Sequence, residues 1–297
     1  MSSKKRTNVR TLEKPAPAVL KATVSALSAV SPRLAGAVAA RLFFKAPVRR
    51  PRSPVERAVL AGGMRFMVGG GGEQLAAWRW GEGPVVLLAH GWGGCAGQMT
   101  PLVEPLVGAG FSVVAHDAPG HGESPGRRAS IPSFAGAIER VATSMGHLHG
   151  VVAHSMGGAA FSLAAARGLG ARRAVYVGPP SDAAVWLNGF SRWLGLGAEA
   201  TAALAVGAEA LAGERIDRLN SSWLGPRLGA SLLVIHDRED REVPLADGER
   251  VAREAASGRL VVTEGLGHRR ILRDPGVAKE AVRFLSEGLS DGAQPAA

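Results

Sequence analysis

A serine follows an apolar run and precedes small residues in residues 151–158, Val-Val-Ala-His-Ser-Met-Gly-Gly. A serine hydroxyl is a weak nucleophile, so it must be exposed on a sharp turn where a base can reach it. Small residues at 153 and 157 allow a helix to pack closely against the strand at such a turn. The run matches G-x-S-x-G except that Ala153 replaces the first glycine, and it predicts Ser155 as a nucleophile. By itself the pattern also fits a plain strand-to-helix turn with a capping serine.

The loops after two later apolar runs supply a carboxylate and an imidazole. Residues 236–244 are His-Asp-Arg-Glu-Asp-Arg-Glu-Val-Pro, and residues 264–268 are Glu-Gly-Leu-Gly-His. A carboxylate can hold an imidazole in the tautomer that accepts a serine proton. The order Ser…Asp…His at three strand ends predicts Asp240 as the acid and His268 as the base. Two neighbouring carboxylates remain alternative acids, Asp237 and Glu239.

A glycine-rich loop upstream completes the candidate site. Residues 90–94, His-Gly-Trp-Gly-Gly, follow another apolar run. Acyl transfer passes through a tetrahedral oxyanion, which preorganised N–H groups stabilise. We predict the backbone N–H groups of Trp92 and Met156 as the two donors. The alternative is a phosphate-binding loop, but the Gly-Lys-Ser/Thr ending of a Walker motif is absent from this loop.

The elements that must position these residues begin after Gly62. Short apolar runs alternate there with longer helical patterns, which is typical of βαβ units and a mainly parallel sheet. The predicted strands are 65–68, 75–80, 85–89, 112–115, 150–153, 174–177, 232–236 and 260–263. The predicted helices are 98–107, 134–144, 157–167, 245–256 and 276–285.

One interval interrupts this alternation. Between Gly178 and Gly229 there is no strand-like run, and three of the six tryptophans lie there. We predict a helical cap over about residues 180–228, at the carboxyl ends of the strands, where ligands bind in open α/β sheets. The cap aromatics are expected to pack mainly against one another, with one or two of them lining an acyl pocket. The candidates for that pocket are Trp186, Phe190 and Trp193.

Together these motifs resemble the α/β-hydrolase superfamily over about residues 62–290. Residues 117–124, Asp-Ala-Pro-Gly-His-Gly-Glu-Ser, are similar to a D-x-P-G-H-G-x-S segment that follows strand 4 in many members. The resemblance implies an α/β fold with an eight-stranded, mostly parallel sheet flanked by helices, and a small helical cap inserted after strand 6. It also implies a Ser-His-Asp mechanism that uses no cofactor and no metal.

The same resemblance bears on individual residues. It favours Asp240 as the acid, since members place the acid before x-x-Val-Pro, and it makes Asp182, after strand 6, a reserve acid. The 117–124 segment is mainly structural in the family, so no catalytic role is assigned to Asp117, His116 or His121.

Four further side chains near these motifs have plainer interpretations. We interpret His154 as structural and Cys95 as a small packing residue, because nothing in the sequence supplies a base or a lowered pKa for its thiol. Arg269 and Arg270 are interpreted as a solvated surface pair. Alternatively, these two arginines favour an acidic acyl substrate.

The net charge of +10 is concentrated at one end of the chain. Residues 1–57 hold thirteen Lys and Arg against two acidic residues, and the remainder is nearly neutral. Nucleic-acid binding by the body is therefore not expected. Apolar residues at i+3/i+4 spacing predict two short amphipathic helices between residues 19 and 42. Pro32 interrupts this pattern, and three later prolines end it: Pro47, Pro51 and Pro54.

We interpret residues 1–57 as a basic N-terminal arm and residues 58–297 as the α/β-hydrolase domain. The arm docks on the body, lies peripherally on an anionic membrane or remains mobile, and docking is favoured because its apolar face is thin. Lys21, Pro32 and Arg33 break the apolar run that a transmembrane helix requires. The single cysteine excludes an intrachain disulfide and a cysteine-based zinc site. The expected location is cytoplasmic or peripheral to the inner face of the membrane, and the oligomeric state stays open.

We therefore expect a serine hydrolase that cleaves a carboxylic ester or thioester of a small-molecule acyl substrate through an acyl-enzyme on Ser155. The same residues would serve an acyltransferase, a perhydrolase or a hydrolase of carbon–carbon bonds. The rival from another class is a non-catalytic binding protein of the same fold, which is disfavoured because all three triad positions are filled.

Overall fold

The computed structural model describes residues 15–69 and 74–289. The first fourteen residues of the predicted arm and most of the turn at 69–72 lie outside this part. In the described residues one sheet has the strand order β1-β2-β4-β3-β5-β6-β7-β8. Its strands are β1 (Met64–Val68), β2 (Leu75–Trp80), β3 (Val85–Ala89), β4 (Ser112–His116), β5 (Leu148–His154), β6 (Ala171–Val177), β7 (Ser231–Asp237) and β8 (Gly258–Thr263). The expected eight-stranded, mostly parallel sheet is confirmed.

The register of the sheet brings the candidate loops to one edge. Strands β3 to β8 run parallel, and β1 and β2 form an antiparallel extension. Ala89 in β3 pairs with Ala153 in β5, which pairs with Tyr176 in β6. Because these strands are parallel and in register, the loops that follow them open at the same edge. That edge carries every residue predicted to do chemistry.

Helices cover both faces of the sheet and its carboxyl edge. Those of the described residues are α1 (Ala18–Val30), α2 (Pro32–Phe43), α3 (Pro54–Ala61), α4 (Val103–Gly108), α5 (Ile131–Met145), α6 (Met156–Ala166), α7 (Ala183–Leu194), α8 (Ala198–Ala212), α9 (Ser221–Leu224), α10 (Leu245–Glu254), α11 (Gly267–Arg270) and α12 (Pro275–Ser286). Short 3-10 helices span Ala96–Leu102, Ile216–Leu219, Gly225–Arg227 and Ile271–Arg273.

Each face of the sheet has its own apolar core. Helices α5, α6 and α10 contribute to one core, in which Phe134 and Phe161 are buried. Helices α3, α4 and α12 contribute to the other, in which Phe284 is buried. Strands β4 and β5 are buried at every position, which explains the apolar run at the centre of each. The predicted helix 98–107 is split into a 3-10 helix and α4, because Pro101 cannot donate an α-helical hydrogen bond.

The arm and the cap together form a small helical layer over the carboxyl edge, which we term the roof (α1, α2, α7 and α8). Its core contains Val24 and Ala39 from the arm and Leu187 and Leu204 from the segment between β6 and β7. In the described residues the arm therefore docks on the cap. Peripheral membrane contact of the arm stays a prediction.

Helices α2 and α8 approach each other closely at Gly36. A Cβ added to Gly36 would lie 2.6 Å from the Leu204 backbone nitrogen. Glycine at this position lets the two helix backbones come into direct contact. Val24 and Leu204 are buried beside this crossing, so the hydrophobic effect holds the arm to the cap.

Pro32 separates two helices of the arm, as predicted from the sequence, whereas Pro54 does not have its predicted role. Helix α1 ends at Val30, and Pro32 is the first residue of α2, whose Leu34 N–H is accepted by the Ser31 hydroxyl. Pro54, expected to end a helix, instead begins α3. Proline is tolerated at the first helical position, and Ser53 with Glu56 forms a capping box there. Helix α3 runs across the predicted boundary at residues 57 and 58.

The linker between the roof and α3 is tied into the sheet by a buried ion pair. The Arg52 guanidinium lies 2.7 Å from Asp117, which is fully buried, and 4.8 Å from the Trp78 ring centroid. Asp117 also accepts the backbone N–H groups of Ala96 and Glu123, each at 2.7 Å. The first residue of the 117–124 segment thus has the structural part that the family resemblance implied.

None of the helices in residues 15–69 and 74–289 has the length and apolar content that crossing a membrane requires.

Candidate active site

Ser155 stands on a strained turn between β5 and α6. Its φ of 53° is the only positive value for a non-glycine residue in the described part of the chain. Such a conformation persists only where the surroundings enforce it. The Ser155 N–H donates to the Val177 carbonyl at 2.9 Å, and a Cβ at Gly157 would lie 2.7 Å from the Ala89 carbonyl oxygen. The turn is fixed from two neighbouring strands, and position 157 has room for glycine alone.

The loop of residues 90–94 lies directly against this serine. A Cβ at Gly91 would lie 2.8 Å from the Ser155 Cβ, so glycine allows the backbone of the loop to approach the turn. Trp92 and Met156 line the same cavity as Ser155. Their backbone N–H groups remain the candidate oxyanion donors.

Two buried histidines hold this loop. The His90 Nδ1–H donates to the Gly91 carbonyl at 2.7 Å, while its Nε2 accepts a backbone N–H at 3.0 Å. The His121 Nε2 accepts the Gly93 N–H at 3.0 Å, and its Nδ1–H donates to the Pro119 carbonyl at 2.9 Å. Burial lowers the pKa of both rings, which keeps them neutral. A neutral ring can accept and donate at the same time, and both loop contacts depend on that.

Asp240 and His268 form a buried pair at the ends of β7 and β8. The Nδ1 of His268 lies 2.6 Å from Oδ2 of Asp240, and their side chains are 6% and 1% exposed. The other carboxylate oxygen accepts the N–H groups of Glu242 and Val243, each at 2.8 Å. With its Nδ1–H donated to the carboxylate, a neutral His268 has Nε2 as an acceptor. His268 and Ser155 line one cavity.

A glycine at the end of β6 leaves space for this pair. Gly178 has a φ of 59°, and a Cβ there would lie 3.1 Å from His268 Nδ1 and 3.4 Å from Asp240 Oδ2. Any larger residue would therefore press on the hydrogen bond between the two side chains. This role of Gly178 was not predicted from the sequence, although a glycine directly after a predicted strand was a local indication of it.

His154 holds the backbone that carries His268. Its Nε2–H donates to the His268 carbonyl at 2.8 Å, and the two ring centroids are 4.6 Å apart. Burial, together with the neighbouring His268, lowers the pKa of His154 well below its ordinary value. His154 is thus a neutral donor that fixes the first turn of α11.

His236 supports the acid loop and was missed from sequence. Its Nε2–H donates to the Val243 carbonyl at 3.0 Å, and the same atom is 3.5 Å from Asp240 Oδ2. Burial lowers the pKa of His236, so this contact is that of a neutral ring. The sequence did contain an indication of this role, because His236 lies near the end of an apolar strand and just before a carboxylate-rich loop.

Asp237, an alternative acid, ties β7 to the loop before His268. It accepts the Thr263 hydroxyl at 2.8 Å and the Leu266 N–H at 3.1 Å. Burial opposes ionisation, but hydrogen bonds from this loop outweigh it and lower the pKa of Asp237. Its carboxylate is an ionised structural group whose partners are Glu239, Thr263 and Leu266.

Asp182, the reserve acid, caps a helix. Its Oδ1 accepts the Ala184 N–H at 2.8 Å at the start of α7. Of the carboxylates considered as acids, Asp240 is the one hydrogen-bonded to His268. Asp182 lines the cavity, so it lies near the site without joining the pair.

A cavity of about 1100 Å³ opens above Ser155, between the sheet edge and the roof. This is at the upper end of the range for small-molecule sites. The three aromatic residues predicted for the pocket all line it: Trp186, Phe190 and Trp193. The arm contributes to the cavity as well, which was not predicted from the sequence. Five of its apolar residues line it: Leu42, Phe43, Phe44, Pro47 and Val48.

The site has no residues grouped for metal binding. Among residues 15–69 and 74–289 no cluster of three or more His, Cys, Asp or Glu side chains is arranged to hold an ion. Cys95 is buried behind the loop of residues 90–94, as expected for a packing residue.

The chain is similar to known hydrolases in part of its sequence and in its structure. A hydrolase family model described as serine aminopeptidase, S33, matches residues 83–221. An esterase from Pyrococcus furiosus is 18% identical, with a TM-score of 0.62 over 82% of this chain and 97% of that one. A membrane phospholipase A described as a bacterial virulence factor is 20% identical, with a TM-score of 0.61 over 90% and 96%. A lipase from Acinetobacter baumannii AYE is 18% identical, with a TM-score of 0.59 over 78% and 93%.

The strand order, the strained serine turn and these matches identify the fold. The chain has the α/β-hydrolase fold. The matched segment includes β3, the loop of residues 90–94 and Ser155, whereas Asp240 and His268 lie beyond it. The family that this segment matches is one of hydrolases.

Proposed function

We propose that this protein is a serine hydrolase that cleaves a carboxylic ester or thioester through an acyl-enzyme on Ser155. One observation carries the proposal: Ser155 on its strained turn lines the same cavity as His268, whose Nδ1 is hydrogen-bonded to Asp240. These residue types in this arrangement suit a nucleophile, an acid and a base. The esterase, lipase and phospholipase among the similar structures support the same class.

Attack begins with transfer of the Ser155 proton to Nε2 of His268, while Oγ bonds to the acyl carbon. Asp240 stabilises the imidazolium cation and keeps the ring oriented, and it does not take the proton itself. Its second oxygen is held by two backbone N–H groups, so the carboxylate cannot rotate away. The hydrogen bond from His154 to the His268 carbonyl fixes the backbone of His268.

The oxyanion that forms on the acyl carbonyl is stabilised by the N–H groups of Trp92 and Met156. The loss of one such donor typically lowers kcat by about 10²–10³-fold. Preorganisation of the loop rests on the His121–Gly93 hydrogen bond and on the close approach at Gly91. The buried neutral histidines are thus positioning residues for the oxyanion loop.

Collapse of the tetrahedral intermediate releases the alcohol or thiol, which takes the proton from His268. Water then attacks the acyl-enzyme with His268 acting again as base, and the acid product leaves. Protons therefore balance over acylation and deacylation, and Ser155 returns to its hydroxyl form. No other group is required for the cycle.

An aminopeptidase is the second candidate, because the matching family model carries that description. Such an enzyme needs a free carboxylate in its pocket to bind the terminal ammonium group of a peptide. The cavity carboxylates are Asp182, Glu214 and Glu242. Asp182 caps α7, Glu214 lies 3.4 Å from Arg167, and Glu242 lies 2.8 Å from Arg269. Glu214 and Glu242 are thus paired with arginines, and Asp182 is held at the N-terminus of α7, so an ester or thioester is favoured.

Acyl transfer to another acceptor, peroxide chemistry and carbon–carbon bond cleavage use the same three residues. Product analysis with competing alcohols, hydrogen peroxide and a diketone would separate these reactions from hydrolysis by water. A dominant transfer product would replace the hydrolase proposal by an acyltransferase.

The proposal is tested by intact-mass labelling with a fluorophosphonate. We expect one adduct on the wild type, none on Ser155→Ala, and hydrolysis of p-nitrophenyl esters that is lost in the same variant. Ser162→Ala is a matched control, since Ser162 is buried in α6 and its hydroxyl bonds to Tyr176. Labelling of Ser155→Ala would assign the nucleophile to another residue, and an unlabelled wild type that remains folded would replace the enzyme by the binding-protein alternative.

A further inference from the structure

The cavity above Ser155 has chemically different walls. Phe43, Phe190 and Trp193 form an aromatic group in the roof, with ring centroids 5.3 Å apart for Phe43–Phe190 and 5.6 Å for Phe190–Trp193. All three line the cavity. An aromatic wall of this kind is suited to an apolar acyl chain.

The other wall carries positive charge. Three arginines within five residues of His268 line the cavity, and we term them the cationic wall: Arg269, Arg270 and Arg273. They lie on α11 and on the 3-10 helix Ile271–Arg273. That 3-10 helix packs against the 3-10 helix Ala96–Leu102 and α12, which are elements outside the roof. The cationic wall and the aromatic group therefore come from separate elements of the fold.

The charges of the cationic wall are only partly compensated. Arg269 pairs with Glu242 at 2.8 Å. The Arg270 guanidinium donates to the carbonyls of Leu266 and Gly265 at 3.1 and 2.7 Å, which are neutral groups. Arg273 acts electrostatically on Glu56, but Glu56 already pairs with another arginine at 2.6 Å. Two arginines thus retain charge that a ligand can use.

The whole cavity has the same imbalance. Six cationic side chains line it against three carboxylates. Ion pairs engage Arg50 and Arg269 among the cations and Glu214 and Glu242 among the carboxylates, so positive charge remains in excess. The cationic residues are Lys45, Arg50, Arg192, Arg269, Arg270 and Arg273. An anionic group on the substrate is therefore favoured, and its position on the substrate is the remaining question.

The proposed mechanism decides that position. His268 must give its proton to the departing oxygen or sulfur, so the leaving group lies on the His268 side of the acyl carbon. The cationic wall follows His268 directly in the chain and lines the same cavity. Resting on the proposed function, we infer that the substrate joins an apolar acyl chain to an alcohol or thiol bearing a phosphate or carboxylate group.

The reaction then has a defined balance. The bond from the acyl carbon to the leaving oxygen or sulfur breaks, and a bond to Ser155 Oγ forms. The proton of the Ser155 hydroxyl passes through His268 to the leaving group. Water supplies the oxygen and proton that release the fatty acid from Ser155. The anionic alcohol or thiol leaves unchanged in charge, so the cationic wall acts on binding in both the ground and transition states.

The inference is tested with substrates matched in a decanoyl chain. The thioester arm compares decanoyl-coenzyme A with decanoyl-N-acetylcysteamine, and the ester arm compares 1-decanoylglycerol 3-phosphate with 1-decanoylglycerol. We expect a kcat/KM about tenfold higher for at least one anionic member than for its neutral partner. The arm that shows the preference identifies whether the anionic group belongs to a thiol or to a glycerol headgroup. A third arm uses a ten-carbon acyl chain ending in carboxylate, on a neutral alcohol, and should show no gain.

Arginine variants test whether the cationic wall causes the preference for anionic substrates. Arg273→Gln should lower the anionic-to-neutral ratio about three- to fivefold, and Arg273→Glu should lower it further, because exposed charge pairs contribute modestly. Raising ionic strength should lower the wild-type ratio in the same way. Arg253→Gln and Arg253→Glu, on an exposed position of α10, are matched controls that should leave the ratio unchanged.

Binding separates this inference from the proposed function. Calorimetry on Ser155→Ala gives the dissociation constants of both members of each pair without turnover. A preference for the anionic members that disappears in the double variant Ser155→Ala, Arg273→Glu supports the cationic wall even if hydrolysis is never observed. Equal affinity for anionic and neutral members, or a gain in the third arm, would overturn the inference while hydrolysis of the neutral esters still upheld the enzyme.

Discussion

The carboxyl edge of the sheet and the roof above it are built by different means. At the edge, polar side chains are held by several hydrogen bonds each: Asp240 accepts from His268, Glu242 and Val243. In the roof, alanine, glycine, leucine and aromatic residues pack with one another, as where Gly36 meets Leu204. The carboxyl edge of the sheet therefore holds individual side-chain atoms in place, whereas the roof determines the shape of the cavity above Ser155.

This difference corresponds to a division of labour. Chemistry requires reacting groups placed to within fractions of an ångström, which hydrogen-bond networks provide. Substrate choice requires an apolar volume, which side chains of many kinds can enclose. Changes at the edge should consequently affect kcat for every substrate, and changes in the roof should affect substrates according to their acyl chain.

The largest expected effect is at the edge. Asp240→Asn keeps the shape of the side chain but favours the wrong tautomer of His268, so kcat should fall about 10⁴-fold for short and long esters alike. The measurement is steady-state kinetics on p-nitrophenyl acetate and decanoate, with circular dichroism to verify folding. Asp237→Asn is the comparison, and a larger loss of kcat at that position would transfer the acid role to Asp237.

Acid should destabilise the edge through its buried histidines. Burial lowers the pKa of His116 from 6.5 to about 4, so the unfolded chain binds more protons between these values. Stability is then fully present above pH 6.5 and is lost as pH falls toward 4, by on the order of 3 kcal/mol for this residue. Urea unfolding at several pH values measures the slope. It should flatten in His116→Gln, and an unchanged slope in that variant would contradict the assignment.

A substitution where α2 crosses α8 should affect the roof without affecting the carboxyl edge of the sheet. Gly36→Ala places a Cβ 2.6 Å from the Leu204 backbone nitrogen, so the helices must move apart at a cost of about 1–3 kcal/mol. We expect kcat/KM to fall for decanoyl esters and to stay constant for acetyl esters. Gly136→Ala in α5 is the matched control, since its Cβ meets nothing within 4 Å and should stabilise by about 0.5–1 kcal/mol. An equal loss on both esters would mean that the roof also positions the catalytic residues.

The smallest expected effect is at the start of α7. Asp182→Ala removes the N-cap bond to the Ala184 N–H and should cost about 1 kcal/mol of stability. The kcat on acetyl esters should remain within a factor of two or so of the wild type, because the side chain has no bond to His268. Thermal unfolding and kinetics on the same preparation measure both. A fall of kcat by orders of magnitude would return Asp182 to the list of candidate acids.

The sequence predicted the strands well where apolar runs are bounded by glycine or proline. Both Leu75–Trp80 and Val85–Ala89 have the predicted limits. It shortened β5, which begins at Leu148, because His149 is polar. The structure buries His149 by pairing its Nε2 with the Leu285 carbonyl of α12 at 2.7 Å. Such a partner, 136 residues away in the chain, is invisible to local patterns.

A similar reason explains the shortened β6. The prediction began at residue 174, whereas the strand begins at Ala171. Arg173 interrupts the apolar pattern, and it is accommodated by an ion pair with Glu287 at 2.9 Å and by the Phe284 ring, whose centroid lies 5.0 Å from the guanidinium carbon. The missed helix Pro54–Ala61 is different, since its capping box, Ser53 with Glu56, was present in the sequence as a local signal.

The sequence by itself determined the class of fold and the types and order of the residues at the candidate site. Hydrophobic periodicity, turn residues and the order Ser155, Asp240, His268 can all be read from the sequence without a structure. Only the tertiary structure decided which carboxylate of the loop after β7 contacts His268, because Asp237 and Asp240 differ by three positions and point to different partners. It also decided that the basic arm helps to enclose the cavity, since that depends on backbone contact between helices far apart in the chain.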